Sequence, residues 1–125
     1  MESRCFFYRA HVVEIYDGDT ATVNIDLGFG LSINKMKVRL LGIDTAEMKS
    51  HDEILKHKAV AARDWLRSKC LNEDVYLESF GLDKYGRWLG KIHLKDGTCC
   101  NDELVKLGLA VQYDGGTKNV ELLKG

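Results

Sequence analysis

The stretch ATVNIDL at residues 21–27 alternates apolar and polar side chains without interruption. Alternate residues of a β-strand point to opposite faces, so this stretch predicts a strand with one face in a core. The alternation resumes over residues 31–43 after a turn at 28–30, with a slip between Ile33 and Met36 that predicts a bulge. An apolar, aromatic-rich run precedes both segments. The first third of the chain therefore predicts three strands in an antiparallel meander.

Two helices are predicted farther along the chain. Residues 50–70 carry apolar side chains at helical spacing, and Ser50 with Glu53 reads as a capping box at their start. A second, short helix is predicted near residue 100, with Asn101 as its N-cap and Gly108 as its stop. Too few helices alternate with strands for a doubly wound sheet.

Two more strands are predicted at residues 74–80 and 87–94. Trp65 and Trp88 lie within apolar patterns and are expected to be core residues. Five strands, with one helix after the third and a short one after the fifth, predict an α+β protein built on a five-stranded OB-type β-barrel. The whole chain, residues 1–125, is expected to form a single domain, because one domain typically contains about 100–200 residues.

Composition excludes several classes of protein. Hydrophobic residues make up 45% and charged residues 30%, which is typical of a folded globular chain and excludes disorder. The net charge of −1 argues against a strongly basic nucleic-acid binder but leaves a local basic site open. No apolar run approaches ~18 residues and the first residues lack a signal-peptide core, so we expect a cytoplasmic protein that makes no membrane contact. The four cysteines form no CxxC pair, which favours free thiols over a zinc site.

Acidic and basic side chains gather in three segments: DGDT at 17–20, VRLLGIDTAE at 38–47 and DKYGR at 83–87. Asp19 opens one predicted strand and Asp44 closes the next. If a hairpin connects these strands, the two carboxylates lie at one edge of the sheet. Carboxylate oxygens suit a hard cation such as Ca²⁺ or Mg²⁺, so this edge is a candidate metal site.

Three further side chains would suit phosphate chemistry at that edge. Glu47 follows Asp44 by three residues, and a carboxylate near a metal-bound water acts as a general base. Arg39 and Arg87 would supply forked, permanently charged donors to a phosphate. Each feature also has an ordinary structural explanation, since Asp-Gly is a common turn and a single arginine on a strand is usually a surface residue. Spacing alone does not show that these groups meet.

Two other features have both a structural and a functional interpretation. Phe29 stands between two glycines at a turn, where it either packs locally or, if exposed, contacts a base. The basic residues of the predicted first helix are either a solvated face or a weak phosphate track. They are Lys56, Lys58, Arg63, Arg67 and Lys69.

At its three polar segments the sequence resembles the staphylococcal nuclease-like (thermonuclease) family. The similarity runs from about Val12 to Val111 and adds the segment LVKLGLA at 104–110, with all four motifs in the family's order. The resemblance implies an OB-type barrel and calcium-dependent hydrolysis of phosphodiester bonds. The expected partner is nucleic acid, as single-stranded DNA or RNA or frayed duplex DNA, and the expected products carry 3′-phosphate and 5′-hydroxyl ends. We expect the chain to act as a monomer.

The resemblance also implies a role for each residue of the site. The metal ligands would be two carboxylates and one backbone carbonyl, from Asp19, Asp44 and Thr45. The catalytic side chains would be a general base and two phosphate-binding arginines, namely Glu47, Arg39 and Arg87. The substrate contacts would be Lys84, Tyr85 and Tyr113.

Three departures from the family pattern are expected to modify the activity. Ala46 stands where the family commonly has proline, which frees the backbone between the metal and general-base positions. The chain stops soon after Tyr113, so a long C-terminal helix of the secreted members is expected to be short or missing. The near-neutral charge predicts weaker non-specific affinity and milder salt dependence. The alternatives to an enzyme are an inactive OB-type nucleic-acid-binding module and a protein–protein adaptor.

Overall fold

The computed structural model describes residues 6–113 and 120–124, and its centre is a closed five-stranded barrel. The barrel strands are β1 (Phe6–Asp17), β2 (Thr20–Gly28), β3 (Leu31–Leu40), β5 (Asp74–Leu82) and β6 (Trp88–His93). They neighbour one another in the order β1-β2-β3-β6-β5. All neighbouring pairs are antiparallel except β3 and β6, which run parallel and close the barrel. The predicted α+β fold with an OB-type barrel is confirmed.

Shorter elements flank the barrel. Two-residue strands pair with each other beside it, and three helical segments complete the described chain. The short strands are β4 (Ile43–Asp44) and β7 (Val111–Gln112). The helices are α1 (Glu53–Cys70), α2 (Cys100–Lys106) and a 3-10 turn (Val120–Lys124). As predicted, α1 follows the third barrel strand and α2 follows the fifth.

The core forms where the inward faces of the strands meet α1. Ala21, Val23 and Ile25 are buried on β2, which is the alternation that the sequence displays. Ala62 and Leu66 from α1 join the same cluster and cover one end of the barrel. The bulge predicted between Ile33 and Met36 of β3 is confirmed, because the β2–β3 pairing shifts register between the pairs Val23–Met36 and Ile25–Ile33.

The predicted cap of α1 is wrong by two residues. Asp52 is the N-cap, and its Oδ1 accepts hydrogen bonds from the backbone N–H groups of Ile54 and Leu55 at 2.9 and 3.2 Å. Ser50 lies outside the helix, where its Oγ accepts from the Asp52 N–H at 3.1 Å. Aspartate is as good an N-cap residue as serine, and its carboxylate is also favoured by the helix dipole.

Asn101 and Trp88 also depart from prediction. The N-cap of α2 is Cys99 rather than Asn101, and Asn101 is a buried residue of the helix's first turn. Trp88 is 42% exposed rather than a core residue, because it begins β6 at an open end of the barrel. Trp65 does pack against the core.

Cys70, Cys99 and Cys100 are free thiols, whereas Cys5 lies outside the described residues. In the part of the chain that the structure describes, neither α-helix combines the length and the apolar composition that crossing a membrane requires.

Candidate active site

The turn between β1 and β2 presents Asp19. Gly18 makes this turn possible, because a Cβ atom on it would lie 2.6 Å from the Cβ of Ala62 on α1. Asp19 Oδ2 accepts two hydrogen bonds from Thr45, one from its backbone N–H at 3.2 Å and one from its Oγ1 at 3.1 Å. The DGDT turn and the end of the 38–47 segment are therefore brought together.

Arg39 connects Asp19 to Asp44. Its Nη2 donates to Asp44 Oδ1 at 3.1 Å, and its Nη1 lies 3.6 Å from Asp19 Oδ2. The side chains of Arg39 and Asp44 are only 6% and 2% exposed, so this ion pair is largely removed from water. A buried guanidinium held between two carboxylates is a rigid arrangement, since Arg39 also donates to the Leu40 carbonyl at 3.1 Å.

Sequence reasoning treated Asp17 as a turn residue, and the structure gives it a larger role. Its Oδ1 accepts from the backbone N–H of Asp19 at 3.2 Å. Partial burial and then the neighbouring Asp19 carboxylate raise the pKa of Asp17 to about 6. Asp17 thus adds an acidic group beside Asp19, and the Asp-x-Asp motif in the sequence was the signal for it.

The loop at residues 83–87 is organised by Asp83. Its Oδ1 accepts from the backbone N–H groups of Tyr85 and Arg87, both at 2.8 Å, and its Oδ2 accepts from Arg87 Nε at 2.7 Å. Partial burial acts to raise the pKa of Asp83, but the hydrogen bonds from the Arg87 backbone, the Tyr85 backbone and the Arg87 guanidinium outweigh it and hold the pKa below its ordinary value. Aspartate side chains in loops commonly accept a hydrogen bond from the backbone N–H two residues on, so this role of Asp83 could be predicted from the sequence.

A cavity of about 380 Å³ lies between this loop and the end of β3. We call it the arginine cavity, because Arg39 and Arg87 both line it. Lys84, Tyr85 and Tyr113 line it too, so all three predicted substrate contacts share one space with both arginines. The Arg39 guanidinium lies 6.0 Å from the Tyr113 ring centre, and that of Arg87 lies 5.3 Å from the Tyr85 ring centre.

Asn101 holds one wall of the arginine cavity in place. Its Nδ2 donates to the carbonyls of Leu41 and Gly90 at 2.9 and 3.1 Å, and its Oδ1 accepts from Ile92 N–H at 3.2 Å. These bonds tie the segment after β3 to β6. The sequence contains no local signal for this role, because the three partners lie 9, 11 and 60 residues away along the chain.

Glu47, the predicted general base, differs from Asp19 and Asp44 in its exposure. It is exposed in the loop before α1, and its carbonyl accepts from the Ser50 N–H at 3.1 Å. Among the described residues, no three His, Cys, Asp or Glu side chains are grouped closely enough to hold a metal together. The structure therefore joins Asp19 with Asp44 through Arg39.

The donor set nevertheless suits a hard cation. Asp19 and Asp44 offer carboxylate oxygens, the Thr45 carbonyl follows directly, and Ca²⁺ takes such oxygens together with water or phosphate. No histidine or cysteine takes part, which disfavours zinc.

Comparison with known protein families matches residues 37–124 to the family described as staphylococcal nuclease homologue. The chain belongs to this family. The matched range contains the last four residues of β3, α1, the 83–87 loop and Tyr113, and therefore both arginines and all three predicted substrate contacts that line the arginine cavity. The resemblance found from the sequence motifs is confirmed.

Individual relatives support the same assignment. An uncharacterized endonuclease of Escherichia coli O157:H7 is 30% identical over 110 residues, which are 88% of this chain and 64% of that protein. A probable endonuclease of Kluyveromyces lactis is 30% identical over 84 residues, covering 64% of this chain and 31% of that protein. An uncharacterized protein of Methanocaldococcus jannaschii is 28% identical over 129 aligned positions, which cover 85% of this chain and 59% of that protein. The chain thus spans less than two thirds of each of these curated relatives.

Proposed function

We propose that the chain is a calcium-dependent endonuclease that hydrolyses phosphodiester bonds in single-stranded DNA or RNA. The observation that carries the proposal is the arrangement around Arg39. This one side chain lines the arginine cavity together with Arg87 and at the same time contacts Asp19 and Asp44. A phosphate in the cavity would lie between two guanidinium groups and beside a pair of carboxylates suited to a cation.

Each group of residues at the site has its own role in the proposed reaction. Arg39 and Arg87 bind the phosphoryl oxygens and neutralise the charge that develops on them, which is a large contribution in phosphoryl transfer. Tyr85, Lys84 and Tyr113 orient the nucleotide. Calcium, bound by Asp19, Asp44 and the Thr45 carbonyl, would supply Lewis-acid polarisation of a phosphoryl oxygen.

Hydrolysis replaces one bond to phosphorus by another. A water oxygen forms a bond to phosphorus, and the bond between phosphorus and the 5′ oxygen breaks. Glu47 accepts one proton of the attacking water, the 5′ oxygen takes a proton from solvent and leaves as a hydroxyl, and Glu47 then returns its proton to solvent. The position of Glu47 on an exposed loop suits this role once substrate covers the site, because catalytic contacts often tighten only in the complex.

Cleavage of single-stranded DNA with calcium or with a chelator tests the proposal. We expect calcium-dependent cutting that yields 3′-phosphate ends. Binding of the DNA without cutting would favour an OB-type binding module, which needs the arginines and aromatic rings but not the carboxylates. If the protein neither binds nor cuts the DNA, the endonuclease and the binding module are both refuted, and the protein–protein adaptor remains.

Asp19→Asn and Asp44→Asn should each lower the calcium-dependent rate by about a hundredfold or more. A Lewis acid contributes several kcal/mol and each ~1.4 kcal/mol is a factor of ten in rate. Cleavage assays check this, with Asp96→Asn as the matched control in an exposed turn far from the arginines. A wild-type rate in either site variant would refute the metal assignment.

Asp83→Ala should reduce kcat/KM severalfold, because Tyr85 and Arg87 lose the carboxylate that orders their loop. The effect should appear mainly in KM. Because the pKa of the Asp83 carboxyl lies below its ordinary value, this order is present at neutral pH and is lost only as the pH falls through that lowered pKa. Unchanged KM in Asp83→Ala, or an equal defect in the Asp96→Ala control, would contradict the orienting role.

A further inference from the structure

The β2–β3 hairpin continues past the arginine cavity and carries unexplained features. Its strand β3 reads LSINKMKVRL, with three basic residues and no acid. Between Thr20 and Leu40 the single acid is Asp26, whose Oδ1 accepts from the Gly28 N–H at 2.8 Å. We call residues 28–37 of this hairpin the arm.

Basic side chains follow one another along the outer side of β3. Lys37 and Arg39 are two residues apart and therefore share a face of the strand. Ile33 and Met36 both line the apolar opening of the barrel, so the bulge between them places Lys35 on the outer side as well. Lys35 and Lys37 are exposed. Successive cations thus stand about 7 Å apart, which is comparable with the separation of phosphates in an extended single strand.

Lys35 is held in a conformation that a lysine rarely adopts. Its φ is 58°, and its backbone N–H donates to Asn24 Oδ1 at 2.8 Å. A left-handed residue other than glycine costs about 1–2 kcal/mol. Bulges of this kind change the direction in which a side chain points, and here the side chain is the cationic Lys35.

The tip of the arm presents a fully exposed aromatic ring. Phe29 has a φ of 55° and is followed by Gly30 with a φ of 77°, so both central residues of the turn are left-handed. Such a turn favours Asn-Gly, and phenylalanine is a poor choice for its first position. An exposed phenylalanine in a strained turn gains nothing for folding, which points to a ligand for the ring.

We propose that the arm extends the nucleic-acid site: Lys37 and Lys35 bind successive phosphates of a single strand, and Phe29 stacks on one of its bases. The proposal rests on the proposed function, since the strand is the one whose scissile phosphate occupies the arginine cavity. Charge complementarity with phosphate and continuity with Arg39 select nucleic acid as the occupant. Aromatic rings beside basic tracks are how sequence-tolerant single-strand binding is built.

The arm should act on long substrates and not on short ones. Leu31, the first residue of β3 after the turn, lies eight residues before Arg39, so about 26 Å of strand separates the tip from the cavity. A dinucleotide in the cavity would not reach the tip. An oligodeoxythymidylate long enough to span the arm would contact all three side chains.

The charge test uses Lys35→Glu with Lys37→Glu. We expect weaker binding of the long oligomer and a slope of log affinity against log salt that is smaller by about 1.4, because each phosphate contact on a single strand contributes about 0.7. The matched control is Lys95→Glu with Lys106→Glu, which makes the same charge change at two exposed lysines outside the arm and α1. If the two double variants lose the same affinity for the long oligomer, the effect is due to net charge alone, and the role of the arm is overturned.

The ring test uses Phe29→Asn and Phe29→Trp. Asparagine suits the turn, so Phe29→Asn should raise the melting temperature while lowering kcat/KM on the long oligomer by about fivefold or more. Phe29→Trp should keep the long-substrate activity, because it keeps a stacking surface. In both site variants the dinucleotide should be cleaved with a much smaller change, so the measured quantity is the ratio of long to short kcat/KM.

The outcomes separate the inference from the proposed function. An unaltered chain that neither binds nor cuts DNA would overturn both. An unaltered chain that cuts DNA, with Phe29→Asn and the lysine variants showing the same long-to-short ratio, would overturn the inference alone. If Phe29→Asn leaves that ratio unchanged but converts a dimer to a monomer in sedimentation, the ring contacts a second copy and the inference is again overturned.

Discussion

Arg87→Ala should lower kcat on single-stranded DNA by about a thousandfold or more while leaving the melting temperature nearly unchanged. An arginine that neutralises charge in phosphoryl transfer contributes about 10³–10⁵ in kcat. The side chain of Arg87 is half exposed, and its ion pair is made with Asp83 in the same loop, so its loss removes nothing from the core. Stopped assays of cleavage and thermal unfolding measure the two effects on the same protein.

The matched variants identify what Arg87 contributes. Arg87→Lys keeps the positive charge but not the two-pronged guanidinium, so its kcat should lie between those of the wild type and Arg87→Ala. Arg9→Ala removes an exposed arginine from β1 and should leave kcat unchanged. A wild-type kcat in Arg87→Ala would contradict a role for this side chain at the phosphate, and a large loss of stability would instead make Arg87 structural.

The barrel was predictable because its signals are local and repeated. Alternation on β2 reports burial directly, since each inward residue touches the same core. The bulge in β3 was equally visible, because a slip of one residue reverses which side chains face inward. Trp88 was mistaken for a core residue because the pattern of β6 does not show that the barrel is open at its first residue.

The site was predictable as a set of residues but not as a geometry. The motifs named Arg39 and Arg87, and the parallel pairing of β3 with β6 is what brings them to one cavity. That pairing joins strands that are far apart in sequence, so no local pattern contains it. The same applies to Asn101, whose cap-like position in sequence concealed hydrogen bonds to Leu41 and Gly90.

Arg39→Met should destabilise the protein by about 3–5 kcal/mol in the presence of a chelator. The variant leaves Asp44 without the guanidinium that it contacts at 3.1 Å in a largely buried site, and breaking one partner of a buried pair has a cost of this size. Urea unfolding followed by tryptophan fluorescence measures the free energy of unfolding. A loss below ~1 kcal/mol would show that the pair is not buried in solution.

Calcium should restore part of that loss, and this separates a metal site from a purely structural ion pair. A cation bound by Asp19 and Asp44 replaces the missing positive charge, and a ligand at 100 times its Kd stabilises by about 2.7 kcal/mol. Arg39→Met combined with Asp44→Leu should recover stability in the chelator, because apolar residues often substitute for a buried ion pair without loss. That double variant should gain no further stability from calcium, since one carboxylate ligand is gone. Equal calcium stabilisation of the single and double variants would place the cation elsewhere and refute Asp44 as its ligand.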